Sequence, residues 1–400
     1  MFQLKNVSSQ LNKSIPAFSR RTLATMSSPP KPATSNGESV IEKAVAANAP
    51  RHNWTREEIR EIYNTPLLQL IYNASSVHRK FHDPSEVQLC TLMNIKTGGC
   101  SEDCKYCAQS SRYDTGLKAE KIVKVDEVIQ AAREAKANGS TRFCMGAAWR
   151  DMKGRKSNLK RISEMVKAVN DMGLESCVTL GMVDDAQVKQ LKEAGLTAYN
   201  HNVDTSREFY PSVISTRSYE ERLETIENVR QGGVSVCSGG ILGLGESEED
   251  HVGFLHTLSN MPQHPESVPI NRLVPIKGTP LGEEQAKIKL PFDAVLRTAA
   301  TARLIMPSSI IRLAAGRYTM KETDQAMCFM AGVNAIFTGK KMLTTMCNGW
   351  DEDKEMLSRW GLKPMKSFER TIVDPLKDQN EEEYVQTETT SLAGRTMSFK

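Results

Sequence analysis

Two adjacent stretches, VDEVIQAAREAKANGSTRFCMGA (residues 125–147) and LKRISEMVKAVNDMGLESCVTLG (residues 159–181), decide the fold. Each opens with apolar residues at helical spacing, reaches a glycine of the kind that ends helices, and then runs into a short β-rich segment. Working outward, the same unit recurs. DDAQVKQLKEAG (184–195) and YEERLETIENVRQGG (219–233) are further amphipathic segments ending at glycine. The β-rich runs are LCTLMNI (89–95), TRFCMGA (141–147), ESCVTLG (175–181), AYNHNVD (198–204), VSVCSGG (234–240), VPINRLV (268–274), IIRLAAG (310–316) and NAIFTG (334–339). Strands separated by helices must pair in parallel through crossovers, and eight of them predict an α/β fold of the (β/α)8 TIM-barrel type. A doubly wound open sheet is the alternative.

An N-terminal helical extension precedes the barrel. Thr55-Arg56-Glu57-Glu58 matches a capping box, and residues 66–81 carry an apolar face of Leu67, Leu68, Leu70, Ile71 and Val77. The expected organisation is a leader over 1–37, linker and helices over 38–84, the barrel over 85–365 and a polar, disordered tail over 366–400. The leader contains Lys5, Lys13, Arg20, Arg21 and Lys31 with no acidic residue, and is rich in Ser and Thr. That composition predicts a mitochondrial transit peptide and a matrix location. The leader's five positive charges exceed the net charge of +4 and leave the remainder slightly negative, which removes the case for nucleic-acid binding. No window is apolar for long enough to cross a bilayer, so no membrane partner is expected. Nine cysteines, an odd number spread along the chain of a reducing compartment, argue against a disulfide framework. Thiols here serve metal, catalysis or packing.

NIKTGGCSEDCKYCAQSS (residues 94–111) follows the first strand and brings Cys100, Cys104 and Cys107 together in one short loop. Three soft thiolates so spaced suit an iron–sulfur cluster. A zinc knuckle would want a nearby fourth Cys or His, and a ferredoxin four cysteines without a large barrel. If alternate strand residues face inward, Cys144, Cys177, Cys237 and Arg312 meet inside the barrel from four different strands. A single buried cysteine is ordinarily packing; three beside a buried cation are not. The bottom-up reading of Arg312 is a counter-charge, because guanidinium is almost always protonated. Asn200, Asn202 and Asp204 form a polar row at period two, suited to a cyclic urea and ribose hydroxyls, with His201 facing the other way. Cys90, Cys328 and Cys347 are assigned to no metal.

The spacing of CSEDCKYC, with Tyr106 inside it, resembles the radical S-adenosylmethionine superfamily. Together with FCMGAAWR, YNHNVDTSREFY, VCSGGILGLGE, INRLVPIKGTPL and RLAAGR, it resembles the biotin synthase family over residues 50–365. The Gly-Gly-Glu segment common in the superfamily is replaced by Gly146-Ala147-Ala148-Trp149, in keeping with biotin synthases. The resemblance implies a 4Fe-4S cluster on Cys100, Cys104 and Cys107, with S-adenosyl-L-methionine chelating its open iron. It also implies a 2Fe-2S cluster on Cys144, Cys177, Cys237 and Arg312 that donates sulfur. Cofactor contacts are implied at Tyr106, Asp204 and Ile241, and dethiobiotin contacts at Asn200, Asn202 and Asn271. Thr344 and Thr345 match binders of the substrate carboxylate, or else form a helix N-cap. The implied reaction is radical sulfur insertion into dethiobiotin, consuming two S-adenosylmethionine molecules. Its implied partners are a ferredoxin- or flavodoxin-type electron donor, iron–sulfur assembly machinery and a second copy in a homodimer. Two rivals remain: a radical lyase of the same branch, which needs no inner cysteines, and a non-catalytic iron–sulfur protein, which leaves the polar row unexplained.

Overall fold

A computed structural model describes residues 39–284, 290–342 and 344–366. The leader, and the expected tail beyond residue 366, lie outside the described residues. The first helix, α1 (Val40–Ala46), falls inside the stretch read as a linker: Ser39 and Glu42 form a full capping box, and Ile41 and Ala44 are buried. α2 (Arg56–Tyr63) starts at the expected Thr55–Glu58 box, and α3 (Leu67–Phe81) follows directly.

The repeating units come next: β1 (Glu86–Lys96), α4 (Val125–Ala137), β2 (Arg142–Ala147), α5 (Lys156–Asp171), β3 (Glu175–Thr179), α6 (Asp185–Glu193), β4 (Ala198–Asn200), α7 (Tyr219–Gln231) and β5 (Ser235–Cys237). β6 (Gly240–Leu242), α8 (Glu248–Ser259), β7 (Ser267–Arg272), α9 (Pro280–Glu284), α10 (Phe292–Ile305), β8 (Ile310–Leu313), α11 (Glu322–Met330) and β9 (Ala335–Phe337) complete the round. β1, β2, β3, β4, β5, β7, β8 and β9 pair in that order, all parallel, and β9 pairs back to β1. The sheet thus closes into the expected barrel rather than the open alternative. Closure leaves no sheet edge exposed and puts one side of every strand inside. On the outside, apolar stripes of the helices cover the strands, for example Val128, Ala132 and Ala135 of α4, and Ile162, Met165, Val166 and Val169 of α5.

A hairpin of β10 (Lys341–Met342) and β11 (Thr345–Met346) follows β9, then α12 (Trp350–Arg359) and β12 (Lys363–Pro364). Past α12 the chain still belongs to the barrel: β12 pairs with the first residues of β1, and Met365 is buried. Among the described residues no helix is long and apolar enough to cross a membrane.

Candidate active site

At the carboxyl ends of the strands, where such barrels place their chemistry, β1 runs into Gly98 and Gly99. Both are left-handed, at φ 65° and 69°, and a side chain on Gly98 would press on the Lys118 carbonyl. The turn delivers the loop of Cys100, Cys104 and Cys107. Its shape is fixed by backbone bonds from Cys100 N to Gln109 O (2.9 Å), Ser111 N to Cys100 O (2.7 Å) and Cys107 N to Cys104 O (2.9 Å). All three thiols are free. Burial raises the pKa of Cys100 and Cys104 and pushes Cys107 up to about 11, so each must lose a proton to bind metal.

Inside the barrel, Cys144 of β2 is the register partner of Cys177 of β3, and Cys237 of β5 pairs with Asn200 of β4. The Cys177 thiol hydrogen-bonds with those of both Cys144 and Cys237; the bond with Cys144, together with burial, raises the pKa of Cys177 against a lowering by the bond with Cys237, while the bond with Cys177 and burial raise that of Cys237. Leu92 and Phe337 wall the group in. Arg312 of β8 is fully buried, with Nη1 3.8 Å from Cys237 Sγ. Among the described residues no trio of His, Cys, Asp or Glu is arranged to grip a single metal ion. A cluster, by contrast, spreads its protein ligands over more than one iron, so they need not converge as those of one ion do. Two sets of three thiolates fit iron–sulfur groups by donor chemistry.

The polar wall departs from the expected row. β4 ends at Asn200, and Asp204 stands at φ 69°, so period two stops within the run. Asn200 Nδ2 donates to Asn202 Oδ1 (3.1 Å) and to Cys237 O (3.2 Å), and Asn202 Oδ1 also accepts from Gly239 N (3.2 Å). That leaves Asn202 Nδ2 as the donor it can offer. Asp204 is held by the β6 segment, accepting at its carbonyl from Ile241 N (2.7 Å). Gly240 makes this approach possible, since a Cβ there would lie 2.8 Å from Asp204 O. The Asp204 carboxylate pairs with Arg222 (2.6 Å) and accepts from Tyr106 OH (2.8 Å). His201, expected to face away, is buried and borders the cavity, because it lies just past the strand end. Asn271 Nδ2 donates to Gly240 O (2.9 Å), while its Oδ1 accepts from Ala315 N (3.0 Å). Thr345 belongs to β11 and Thr344 to the hairpin turn before it, so neither is a helix N-cap.

All of these predicted site residues line one cavity of about 320 Å³: the six cysteines, Arg312, Tyr106, Asp204, Ile241, the three asparagines and both threonines. So does Arg217, which sequence reasoning missed. It is 8% exposed, and its Nε and Nη1 have no hydrogen-bond partner. Asp103, in the cysteine loop, fixes the segment before it by accepting from Ser215 N (2.9 Å) and Thr216 N (3.1 Å). An unpaired buried cation facing a cavity is costly unless an anion meets it. The one sequence signal was its place before the Tyr-Glu-Glu-Arg helix start, which does not distinguish it from any surface arginine.

The chain is 71% identical over 331 residues to the mitochondrial biotin synthase of Saccharomyces cerevisiae, covering 82% of this chain and 88% of that protein. The chain belongs to the biotin synthase family. The mitochondrial biotin synthase of Emericella nidulans is 62% identical, with 91% of this chain and 92% of that protein covered. That of Arabidopsis thaliana is 56% identical over 79% and 82%. A radical SAM superfamily model matches residues 94–258, from within β1 to α8, and a biotin and thiamin synthesis associated domain matches 269–363, from β7 to β12. Of the solved structures, methylornithine synthase PylB superposes with a TM-score of 0.67 at 19% identity, covering 82% of this chain and 98% of that one. The hydrogenase maturase HydG gives 0.69 at 17%, covering 81% and 74%. At such identities the two show a shared barrel and nothing about substrate. In this biotin synthase family member the barrel's two cysteine sets therefore share one cavity at its catalytic end.

Proposed function

We propose that the chain is a biotin synthase of the mitochondrial matrix, inserting sulfur into dethiobiotin by radical chemistry. One observation carries the reading: a single cavity holds two separate cysteine sets, one on the loop at its mouth and one on the strands at its depth. A radical lyase would need only the first. The substrate carbons are saturated and have no acidity for a base to exploit, so a hydrogen-abstracting route is required.

Cys100, Cys104 and Cys107 hold a 4Fe-4S cluster, which when bound supplies the electron that cleaves S-adenosylmethionine. Arg217 meets the carboxylate of that cofactor. Asp204, aimed by its ion pair with Arg222, takes its ribose hydroxyls, and Tyr106 and the Ile241 backbone border the adenosyl portion. Asn200, Asn202 and Asn271 offer amide donors and acceptors for the cyclic urea of dethiobiotin. Thr344 and Thr345, at the rim, suit its carboxylate end. Cys144, Cys177, Cys237 and Arg312 hold a 2Fe-2S cluster as the sulfur source. Placing these groups inside a barrel excludes water from the reacting carbons. Electrons come from a ferredoxin- or flavodoxin-type donor, iron–sulfur assembly proteins rebuild the depleted cluster, and the enzyme works as a homodimer.

The test is anaerobic reconstitution with iron and sulfide, then incubation with dethiobiotin, S-adenosylmethionine and a reductant. Biotin is expected, with two 5′-deoxyadenosine molecules for each one formed. Absence of both products sinks the reading.

A further inference from the structure

Below the inner cysteines lies a buried layer that the chemistry above does not use. Arg312 Nη2 donates to Gln88 Oε1 at 2.6 Å, Nε has no partner, and the Phe337 ring centroid is 5.2 Å from the guanidinium. Gln88, near the start of β1, also accepts at Oε1 from the Cys90 thiol (3.6 Å) and donates from Nε2 to Glu175 Oε2 (3.2 Å). Glu175 opens β3 and pairs at 2.7 Å with Arg142, which opens β2. Gln88, Arg142, Glu175 and Arg312 are each no more than 2% exposed.

Two physical consequences follow. The amide of Gln88 has its oxygen toward a cation and its nitrogen toward a carboxylate, so a flip would set like against like at both ends. Its orientation is locked. Second, the layer holds two guanidinium groups against one carboxylate, all out of water, and excess buried charge of that kind calls for an anionic group above it. An arginine side chain is rich in rotamers and its guanidinium is planar, so anchoring one edge of the fork restricts the other.

We propose that Gln88 is the positioning residue for Arg312, pinning one edge of its guanidinium so that the other faces Cys237 and the group held by the inner cysteines. This rests on reading Arg312 and those cysteines as the holders of an iron–sulfur cluster. Cys90 belongs to the same device, as the second donor that steadies the Gln88 oxygen.

The test compares full-length wild type, Gln88→Leu, the paired swap of Gln88→Glu with Glu175→Gln, and Arg312→Ala after anaerobic reconstitution. Iron and sulfide are counted, and the Fe–S stretching bands are recorded by resonance Raman spectroscopy. Gln88→Leu removes the anchor, whereas the swap keeps both an oxygen acceptor for Arg312 and a donor–acceptor contact between positions 88 and 175. Arg312→Ala is expected to shift the inner-cluster bands, Gln88→Leu to shift them the same way, and the swap to return them to their wild-type positions. Selective loss of inner-cluster iron in Gln88→Leu supports the proposal equally. Wild-type bands in Gln88→Leu beside shifted bands in Arg312→Ala overturn it while sparing the reading of Arg312. Identical bands in wild type and Arg312→Ala overturn that reading and the proposal together. Gln88→Met takes the place of Gln88→Leu should the latter not fold.

Discussion

Asp204 is the one described residue other than glycine with a positive φ, and such a conformation costs on the order of 1 kcal/mol or more. The surroundings hold it there. Its backbone bridges Gly240, and its carboxylate is gripped by Arg222, which also donates to Asn202 O (2.6 Å) and to the Tyr210 hydroxyl (2.7 Å). Strain of this kind persists where a side chain must point at a ligand. Arg217 makes the complementary case, a cation aimed into the cavity without a protein partner for two of its nitrogens. Arg217→Ala is expected to weaken S-adenosylmethionine binding about tenfold or more, roughly 1.4 kcal/mol, with dethiobiotin binding little changed. Titration calorimetry of the reconstituted variant checks this; an unchanged cofactor affinity removes Arg217 from the site.

At the scale of elements, the last part of the chain is tied to the barrel by one buried clamp. Arg317, just after β8, makes a two-pronged ion pair with Asp353 of α12 at 2.8 and 2.6 Å, and donates to the Phe337 carbonyl at the end of β9 (2.8 Å). Both partners are buried, so removing one strands the other charge, a loss of about 3–5 kcal/mol. Asp353→Ala should lower the melting temperature on the order of 10 °C, measured by circular dichroism. A shift of only a degree or two would mean that the pair is open to water. The clamp was not legible in the sequence: Arg317 closes the RLAAGR stretch, but nothing in that stretch points to Asp353, 36 residues further on and in no recognisable motif. The capping box of α2 was legible, because it is local and needs only four consecutive residues.

Across the whole molecule, buried neutral histidines make stability depend on pH. Burial, with neighbouring cations, pushes His78 of α3 down to about 2 and, with His52 beside it, His264 down to about 4. Below the ordinary histidine value of about 6.5, the unfolded chain binds protons that the folded chain refuses. Stability is therefore full above that pH and falls as pH drops toward 4. The melting temperature should decrease from pH 7 to pH 5, and His264→Gln should make that slope shallower; an unaltered slope assigns the acid sensitivity elsewhere.

The amino-acid sequence determined a parallel α/β fold, because strand–helix alternation is a repeated local pattern, while closure into a barrel rather than an open sheet was decided by β9 pairing back to β1. It also determined the outer cysteine triplet, whose three thiols are held together by chain connectivity alone. The convergence of Cys144, Cys177, Cys237 and Arg312 could be anticipated only once the barrel was assumed, since nothing but strand register brings them together. Tertiary structure alone decided the rest. The turn of Asp204 out of strand geometry, the aim of Arg217 and the Gln88–Glu175–Arg142 layer under Arg312 depend on side chains meeting across strands far apart in sequence. Such meetings are set by packing and by the need to satisfy buried charge, neither of which leaves a periodic mark along the chain.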